Sequence, residues 1–264
     1  MTVWLNGVLG AGALDPADRG FLLGDGLFET IRIAEGAARH LDRHLARLRA
    51  GAAKLELPVP AEDAAIEAAI QAVARADGIA RGSARVTLSR GAGPRGLMPP
   101  SEPSPTLLVT AAPEAGPSAG AADLVIARTV RRNELSPLSR LKTLNYLDNV
   151  LAKQEAVKRG ADDAVLLNTR GQIAEASAAN LVLVIDGTAV TPPVADGALP
   201  GIARGLLIER LGVEQRSVTR EALAQSEGLL LVNSLGLRTA WRLDGKPVPP
   251  FPAELLERCT EACR

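Results

Sequence analysis

Residues 113–120 are mostly proline, glycine and other small residues, and they carry no hydrophobic periodicity. Such a stretch continues neither a helix nor a strand, so it constrains the chain to fold in two parts. We predict a small N-terminal domain over residues 1–115, a linker over residues 116–122 and a larger C-terminal domain over residues 123–264. A chain of 264 residues is long enough for two modest hydrophobic cores.

Hydrophobic patterning places helices and strands in both parts. Spacings of three and four predict helices over residues 41–52 and 61–76, and alternation predicts a strand over residues 27–33. Because the elements do not follow a strict βαβ order, the pattern indicates the α+β class, with mixed sheets and flanking helices. The other predicted strands cover residues 3–5, 8–9, 84–88, 106–110, 124–127, 164–167, 172–175, 181–185 and 229–232, and the other helices cover 144–159 and 202–211.

Composition excludes several classes of partner. The formal net charge is zero, which gives no bulk attraction to nucleic acid or to a membrane surface. Aromatic residues make up 2% of the chain, too few for a platform on which bases stack. No apolar run approaches the roughly 20 residues that span a bilayer, and the N-terminus lacks the features of a signal peptide. We therefore expect a cytoplasmic protein.

Lys142 stands out because lysine is scarce: the chain has lysines at positions 54, 142, 153, 158 and 246 only, and its other basic residues are arginines. A lysine amine can form a Schiff base, and burial lowers its pKa toward a usable value, whereas arginine does neither. Glu175 follows thirty-three residues later on a predicted strand. The plain alternative is a surface lysine near the start of a helix.

Residues 91–96, GAGPRG, match the G-x-G-x-x-G pattern of dinucleotide-binding proteins and follow a predicted strand. That pattern requires a helix to begin at the loop, whereas here Pro94 lies inside it and Pro99 follows shortly after. We therefore reject a dinucleotide site. Arg95 is a candidate for binding a substrate carboxylate, with an ordinary turn as the alternative.

Two pairs of residues suggest metal sites only weakly. His40 and His44 have the i,i+4 spacing of zinc ligands on a helix, but these are the only histidines and no glutamate follows His40. Cys259 and Cys263 lie one helical turn apart with no second pair. We therefore predict no metal.

Several segments, in order along nearly the whole chain, resemble the fold-type IV pyridoxal-phosphate enzymes, also called class IV aminotransferases. Residues 142–146, KTLNY, resemble the family's Schiff-base segment, and residues 175–180, EASAAN, resemble its cofactor-glutamate segment. The remaining matches are residues 18–30 (DRGFLLGDGLFET), 44–48 (HLARL), 191–193 (TPP) and 199–204 (LPGIAR).

The resemblance implies a role for each matching residue. Lys142 would hold pyridoxal 5'-phosphate as a Schiff base and then move the substrate's proton, and Glu175 would bind the pyridine nitrogen. Tyr146 would hydrogen-bond the phenolic oxygen of the ring, and Thr30 would assist near the leaving group. The phosphate would be bound by Arg47, the backbone amides of Ile202 and Ala203, and Ser234. Ala203 replaces a threonine that is common there, so one hydroxyl contact is lost.

Within the family, residues 26–30, 89–96 and 232–235 are most similar to aminodeoxychorismate lyase, which acts on a small-molecule amine. D-amino-acid aminotransferases often carry Arg-x-His where this chain has Arg95 and Leu97. Against the lyase, Ala240 and Trp241 stand where many relatives have proline and valine, so the local pocket differs. We predict a lyase, with an aminotransferase for D-amino or branched-chain amino acids as the alternative. The resemblance also implies a homodimer, with the active site between the two domains.

Overall fold

The computed structural model describes residues 1–10, 12–114, 116 and 120–264. Its contacts divide the chain into two compact units, Met1–Pro117 with Lys142–Asn145, and Ser118–Leu141 with Tyr146–Arg264. Residues 142–145 thus pack with the first unit, although the sequence suggested a simple division into two ranges. The predicted linker includes residues 117–119, which lie outside the described residues, and the predicted domain boundaries stay a prediction.

The first unit is built on a six-stranded sheet with the order β2-β1-β6-β5-β3-β4. Its strands are β1 (Val3–Leu5), β2 (Val8–Gly10), β3 (Gly26–Ala34), β4 (Ala37–Ala38), β5 (Gly82–Ser89) and β6 (Thr106–Pro113), and its helices are α1 (Arg19–Leu23), α2 (Leu41–Lys54) and α3 (Asp63–Ala76).

Helices α2 and α3 pack against β3 and β6. Alternate residues of the central strands, such as Ile31, Val86 and Val109, are fully buried, as expected for a sheet with one face against a core. The apolar residues of the two helices recur at the predicted spacings of three and four and pack against this layer. Leu45 and Leu48 of α2 are examples. We call the side opposite α2 and α3, on which Phe28, Thr30 and Arg85 lie and which α1 approaches only at Ser89, the helix-free face.

The second unit contains a nine-stranded sheet with the order β12-β11-β10-β13-β14-β7-β8-β9, in which β15 pairs with β14. Its strands are β7 (Ala122–Ile126), β8 (Asp163–Leu167), β9 (Ile173–Ala176), β10 (Asn180–Ile185), β11 (Thr188–Thr191), β12 (Glu214–Gln215), β13 (Gly228–Asn233), β14 (Gly236–Leu243) and β15 (Lys246–Pro247). Its helices are α4 (Leu147–Lys158), α5 (Ile202–Leu211), α6 (Arg220–Ala224) and α7 (Ala253–Ala262), with 3-10 turns at Pro137–Arg140 and Val194–Asp196.

Strands β8, β10 and β13 of the second unit are buried along nearly their whole length, which explains why their sequences read as continuous apolar runs. Strands β8, β9 and β10 are consecutive along the chain but do not all pair in that order, because β9 pairs with β8 whereas β10 pairs with β11 and β13. The α+β prediction is confirmed by mixed parallel and antiparallel strands with flanking helices. Within the described part of the chain, no helix is both long and apolar enough to cross a membrane.

Candidate active site

The backbone around Lys142 lies along the free edge of β3. The amide of Phe28 donates to the Lys142 carbonyl (2.9 Å), and the amide of Leu144 donates to the Gly26 carbonyl (2.9 Å). A Cβ atom on Gly26 would come 2.4 Å from the backbone carbonyl oxygen of Leu88 and 2.8 Å from Leu144 Cδ1, so glycine is needed at this position. Edge pairing explains why α4 begins at Leu147 rather than at the predicted residue 144.

The side chain of Lys142 lies on the helix-free face. Its Nζ atom is 4.3 Å from the centroid of the Phe28 ring, and the Cζ atom of Arg85 is 3.8 Å from the same centroid. Both distances fall within the range of cation–π contacts. Thr30 lies directly across from Arg85 in the register of β3 and β5. The first unit therefore brings two candidate catalytic residues, Lys142 and Thr30, to one face around a single aromatic ring.

Arg47 makes a different contact, in the layer between β3 and α2. Its Nε and Nη2 atoms donate to the Glu29 carboxylate at 2.8 and 2.6 Å, and Nδ1 of His44 lies 2.7 Å from Glu29 Oε2. Burial alone would raise the pKa of Glu29, but the hydrogen bonds from Arg47 and His44 outweigh it and hold that pKa below its usual value. The predicted phosphate contact of Arg47 stays a prediction.

The histidine spacing does not define a metal site. His40 caps α2 with a left-handed backbone (φ 52°), outside the helix, whereas His44 is buried beside Glu29. Among the described residues, no three His, Cys, Asp or Glu side chains are arranged to hold a metal. Burial raises the pKa of the Cys263 thiol to about 11 and also raises that of Cys259, which makes both thiols poor nucleophiles.

The loop that carries Arg95 is held by Arg19, whose side chain is buried. Its guanidinium donates to the carbonyls of Gly96 (3.0 Å), Leu97 (2.8 Å) and Met98 (3.3 Å), and its Nε donates to Asp25 (2.9 Å). These bonds fix the backbone next to Arg95, which itself is exposed. A loop that is rich in glycine and proline therefore has a defined conformation.

In the second unit, Glu175 lies on β9 and is 6% exposed. One carboxylate oxygen lies 3.1 Å from Nε of Arg132, and the other accepts from the amide of Leu199 at 2.9 Å and from Nδ2 of Asn180 at 3.4 Å. The guanidinium of Arg132 is itself oriented by the carbonyls of Gly197 and Ser139. An arginine and a backbone amide both favour the ionised form of a carboxylate.

The N-terminus of α5 lies beside the same group. A Cβ atom on Gly201 would come 2.0 Å from Asn180 Oδ1, so a larger residue at this point would have to displace the Asn180 side chain. The first turn, with Ile202 and Ala203, has amides without helical partners, which suit an anion. Ser234 lies in the turn after β13, next to Asn233, whose Nδ2 donates to the Ala178 carbonyl (3.1 Å). Asn180, at the start of β10, pairs with Val232, near the end of β13. The groups next to these two residues therefore lie toward the same end of the sheet, and they are Glu175, the start of α5 and Ser234.

Tyr146 is the residue immediately before α4, although the sequence placed it within a helix over residues 144–159. The functional neighbours that the sequence did not reveal are Phe28, Arg85, Arg132, Asn180 and Leu199. Arg132 lies in a run rich in arginine, and no spacing distinguishes it from Arg131. Arg85 is recognised as a neighbour of Thr30 only in the structure, through the register of β3 and β5.

The residues present fit pyridoxal 5'-phosphate by the chemistry of their donors and acceptors. Lys142 supplies an amine beside an aromatic ring. Glu175 supplies a buried carboxylate that faces an arginine cation, and α5 supplies the backbone amides of its first turn. These groups match the aldehyde, the pyridine nitrogen and the phosphate of the cofactor, respectively.

Comparison with known proteins agrees with this chemistry. The chain matches the family described as amino-transferase class IV over residues 26–240. A Methanocaldococcus jannaschii protein with the provisional name of branched-chain-amino-acid aminotransferase is 34% identical over 208 residues, 78% of this chain and 72% of that protein. A D-alanine aminotransferase of Listeria monocytogenes is 31% identical over 95% of this chain and 92% of its own length.

Among solved structures, 4-amino-4-deoxychorismate lyase from Pseudomonas aeruginosa has a TM-score of 0.85 and 32% identity, and the match covers 97% of each chain. The chain belongs to the class IV aminotransferase family, and the two-unit fold is that of the fold-type IV enzymes. Its cofactor is pyridoxal 5'-phosphate.

Proposed function

We propose that the protein is a pyridoxal-phosphate-dependent lyase that converts 4-amino-4-deoxychorismate to 4-aminobenzoate and pyruvate. The observation that carries a lysine-based reaction is the position of Lys142, whose backbone is hydrogen-bonded along β3 and whose amine lies over Phe28. A lysine fixed at both its backbone and its side chain is suited to repeated proton transfer at one carbon atom.

Two observations support the lyase reaction. The match to the Pseudomonas aeruginosa lyase extends over 97% of both chains at 32% identity. Leu97 occupies the position of the histidine in the Arg-x-His motif of D-specific aminotransferases, its side chain is 83% exposed, and Arg19 holds its carbonyl. An apolar residue cannot donate the hydrogen bond that a histidine would give to a substrate carboxylate.

In the proposed reaction the bound cofactor supplies an electron sink for the substrate carbon. The Lys142 amine removes the proton from C4 of the substrate. The enolpyruvyl group then leaves as pyruvate, and the ring becomes aromatic. Thr30 is proposed to act near the leaving oxygen, because it lies on the same face as Lys142. A hydroxyl group there can donate a proton or a hydrogen bond.

The remaining residues bind the cofactor. Glu175 would hold a proton on the pyridine nitrogen, which requires a carboxylate that stays ionised, and its contact with Arg132 supports this role. Tyr146 would hydrogen-bond the phenolic oxygen. The phosphate would be bound by Arg47, Ser234 and the first amides of α5, with Ile202 and Ala203 as donors.

An aminotransferase is the second candidate. The identities to the Methanocaldococcus jannaschii protein (34%) and to the Listeria D-alanine aminotransferase (31%) favour it. Both reactions use Lys142 as the base, but an aminotransferase that is given an amino acid and no keto acid stops after its first half-reaction, with its cofactor in the pyridoxamine form. That difference separates the two candidates in one experiment.

The test is to add D-alanine, D-glutamate, L-leucine and L-glutamate in turn to the purified holoenzyme and to record its visible absorbance. A lyase keeps its absorbance with all four and releases one pyruvate for each aminodeoxychorismate consumed. Conversion to pyridoxamine phosphate by any of the amino acids, without pyruvate from aminodeoxychorismate, rejects the lyase and identifies an aminotransferase. The Lys142→Ala variant should lose both activities.

We further propose that the protein is a homodimer. Large apolar side chains are exposed together on α1 and in the loop that Arg19 holds, among them Phe21 (76%), Leu97 (83%) and Met98 (80%). Exposed apolar clusters of this kind suit contact between protein surfaces. Light scattering during gel filtration should give twice the mass of the 27.5 kDa chain, and a single-chain mass would contradict the proposal. A cytoplasmic location stays a prediction.

A further inference from the structure

Helix α4 carries a polar side chain on its buried face. Asn149, Ala152 and Ala156 are buried together where the helix packs on β8. The two alanines belong to an apolar cluster with residues of β7 and β8, whereas Nδ2 of Asn149 donates to the backbone carbonyl of Ser177 at 2.8 Å. A buried amide side chain needs a hydrogen-bond partner, which an apolar residue at the same position would not need. Asn149 therefore adds a directional contact to a helix that otherwise packs through alanines.

Ser177 lies in the short segment between β9 and β10 and is held on several sides. Its amide donates to the Ala164 carbonyl at 3.0 Å, and its hydroxyl donates to the carboxylate of Asp163. The same carboxylate oxygen accepts from the amide of Ala164 at 2.7 Å. The amide, the hydroxyl and the carbonyl of Ser177 are thus all hydrogen-bonded, to β8 on one side and to Asn149 of α4 on the other. This residue joins the segment after β9 to both neighbouring elements.

The bond between Asn149 and Ser177 lies between two residues that are proposed to bind the ring of the cofactor. Tyr146 immediately precedes α4, three residues before Asn149, and Glu175 lies on β9, two residues before Ser177. Tyr146 is proposed to bind the phenolic oxygen and Glu175 the pyridine nitrogen. Apolar contacts through alanine are not directional, so they resist a small shift of α4 along β8 only weakly. The hydrogen bond of Asn149 opposes that shift, which would change the spacing between Tyr146 and Glu175.

We infer that Asn149 is a positioning residue: through Ser177 it sets the spacing between Tyr146 and Glu175, and thereby the affinity of the enzyme for the pyridine ring of its cofactor. Its effect falls on the ring and not on the phosphate, because the bond joins the elements that carry the two proposed ring contacts. This inference rests on the proposed roles of Tyr146 and Glu175. It does not depend on the choice between lyase and aminotransferase, since both reactions use the same bound ring.

The test measures binding of three ligands to the apoenzyme: pyridoxal 5'-phosphate, pyridoxal, which lacks the phosphate, and inorganic phosphate as a competitor. Asn149→Asp keeps the size of the side chain but replaces its donor by an oxygen atom. Pyridoxal 5'-phosphate and pyridoxal should both bind about tenfold more weakly, the change expected for one lost hydrogen bond, and inorganic phosphate should bind as before. The visible absorbance of the bound cofactor should also change, because it depends on the hydrogen bonds at the phenolic oxygen and the ring nitrogen.

Ser177→Ala is a second variant, which tests the same contact if Asn149→Asp does not fold. It removes only the hydroxyl that donates to Asp163, and it should weaken the binding of the same two ligands by about threefold. Ser226→Ala is the matched control. Ser226 is as buried as Ser177 and lies in the same unit, and its hydroxyl donates to the Leu223 carbonyl at 2.9 Å. This control should bind all three ligands like the wild type.

The inference is overturned if the Asn149 and Ser177 variants that fold bind pyridoxal as tightly as the wild type, or if inorganic phosphate loses as much affinity as pyridoxal does. Tyr146→Phe and Glu175→Gln separate this outcome from a failure of the proposed function. If neither of them weakens the binding of pyridoxal, the proposed ring contacts are wrong. If they weaken it whereas Asn149→Asp does not, only the role of Asn149 is wrong.

Discussion

The Lys142 amine lies 4.3 Å from the centre of the Phe28 ring, and the carbonyl of Lys142 accepts a hydrogen bond from the amide of Phe28. One residue of β3 thus contacts the proposed catalytic lysine through both its backbone and its side chain. This double contact fixes the position of the amine relative to the sheet, since neither the backbone nor the side chain of Lys142 can shift without losing a contact with Phe28.

We expect Phe28→Leu to lower kcat by about tenfold, because the amine loses its cation–π contact and its defined position. The substitution should also cost about 1–2 kcal/mol of stability, as expected for a buried aromatic residue replaced by a smaller apolar one. Steady-state kinetics and urea unfolding measure the two effects. Phe251→Leu is the control, because this residue is equally buried in the second unit. It should lose stability but keep kcat, and a similar loss of kcat in both variants would argue against the positioning role.

The Glu29 network predicts a dependence of stability on pH. The pKa of Glu29 is lower in the folded protein than in the unfolded chain, so its stabilising contribution is present above the unfolded value of about 4.3 and is lost as the pH falls through the folded value. Glu29→Gln should cost about 3–5 kcal/mol at pH 7, because the Arg47 cation loses its partner.

Urea unfolding of wild type and Glu29→Gln between pH 7 and pH 3 tests this prediction. The difference in free energy of unfolding should shrink as the pH falls. Glu35→Gln, in which the original carboxylate is exposed, should match the wild type throughout. A difference that stays constant with pH would show that the charge of Glu29 is not the source of the stabilisation.

Gly201, which precedes α5, and Gly205, which lies within it, are a matched pair for testing the packing around the start of the helix. A Cβ atom at Gly201 would come 2.0 Å from Asn180 Oδ1, whereas a Cβ atom at Gly205 would lie 3.9 Å from Glu209 Oε1, an ordinary van der Waals distance. Gly201→Ala should therefore displace Asn180, cost about 1–3 kcal/mol and weaken cofactor binding. Gly205→Ala should stabilise the protein by about 0.5–1 kcal/mol, since alanine favours the helix. Thermal unfolding measures the stability of both variants, and titration with cofactor measures their affinity. Equal changes in stability and affinity in the two variants would contradict the packing argument.

The contact between Arg132 and Glu175 predicts a loss of cofactor affinity. Arg132→Gln removes the contact, 3.1 Å long, through which a guanidinium held by the Gly197 and Ser139 carbonyls orients the Glu175 carboxylate, so Glu175 should be positioned less well for the pyridine nitrogen. We expect the dissociation constant of pyridoxal 5'-phosphate to rise about tenfold. Arg131→Gln is the control, because Arg131 donates to the carbonyls of Ala127 and Val130. An unchanged dissociation constant in Arg132→Gln would contradict the proposed role.

The sequence predicted elements better than it predicted contacts. Helix α5 and strand β3 were located almost to the residue, because their apolar spacing reflects burial on one side. The start of α4 was placed three residues early, since edge pairing of residues 142–144 with β3 depends on a strand more than a hundred residues away. Patterning carries no information about such long-range pairing.

The same limit applies to the site. Lys142 and Glu175 could be proposed from residue type and from resemblance, because the proposed chemistry requires an amine and a carboxylate. Arg132 and Arg85 could not, because the chain is rich in arginine and only register and distance set these two apart. Arg47 lies on the predicted helix, but its ion pair with Glu29 depends on packing between α2 and β3.

The most direct test of the central claim is to reduce the holoenzyme with borohydride, which makes the bond between lysine and cofactor permanent, and to locate the modified residue by peptide mass spectrometry. We predict one pyridoxyl group per chain, on Lys142. Modification of Lys54, Lys153, Lys158 or Lys246 instead, or none in a protein saturated with cofactor, would contradict the assignment of Lys142 as the catalytic lysine.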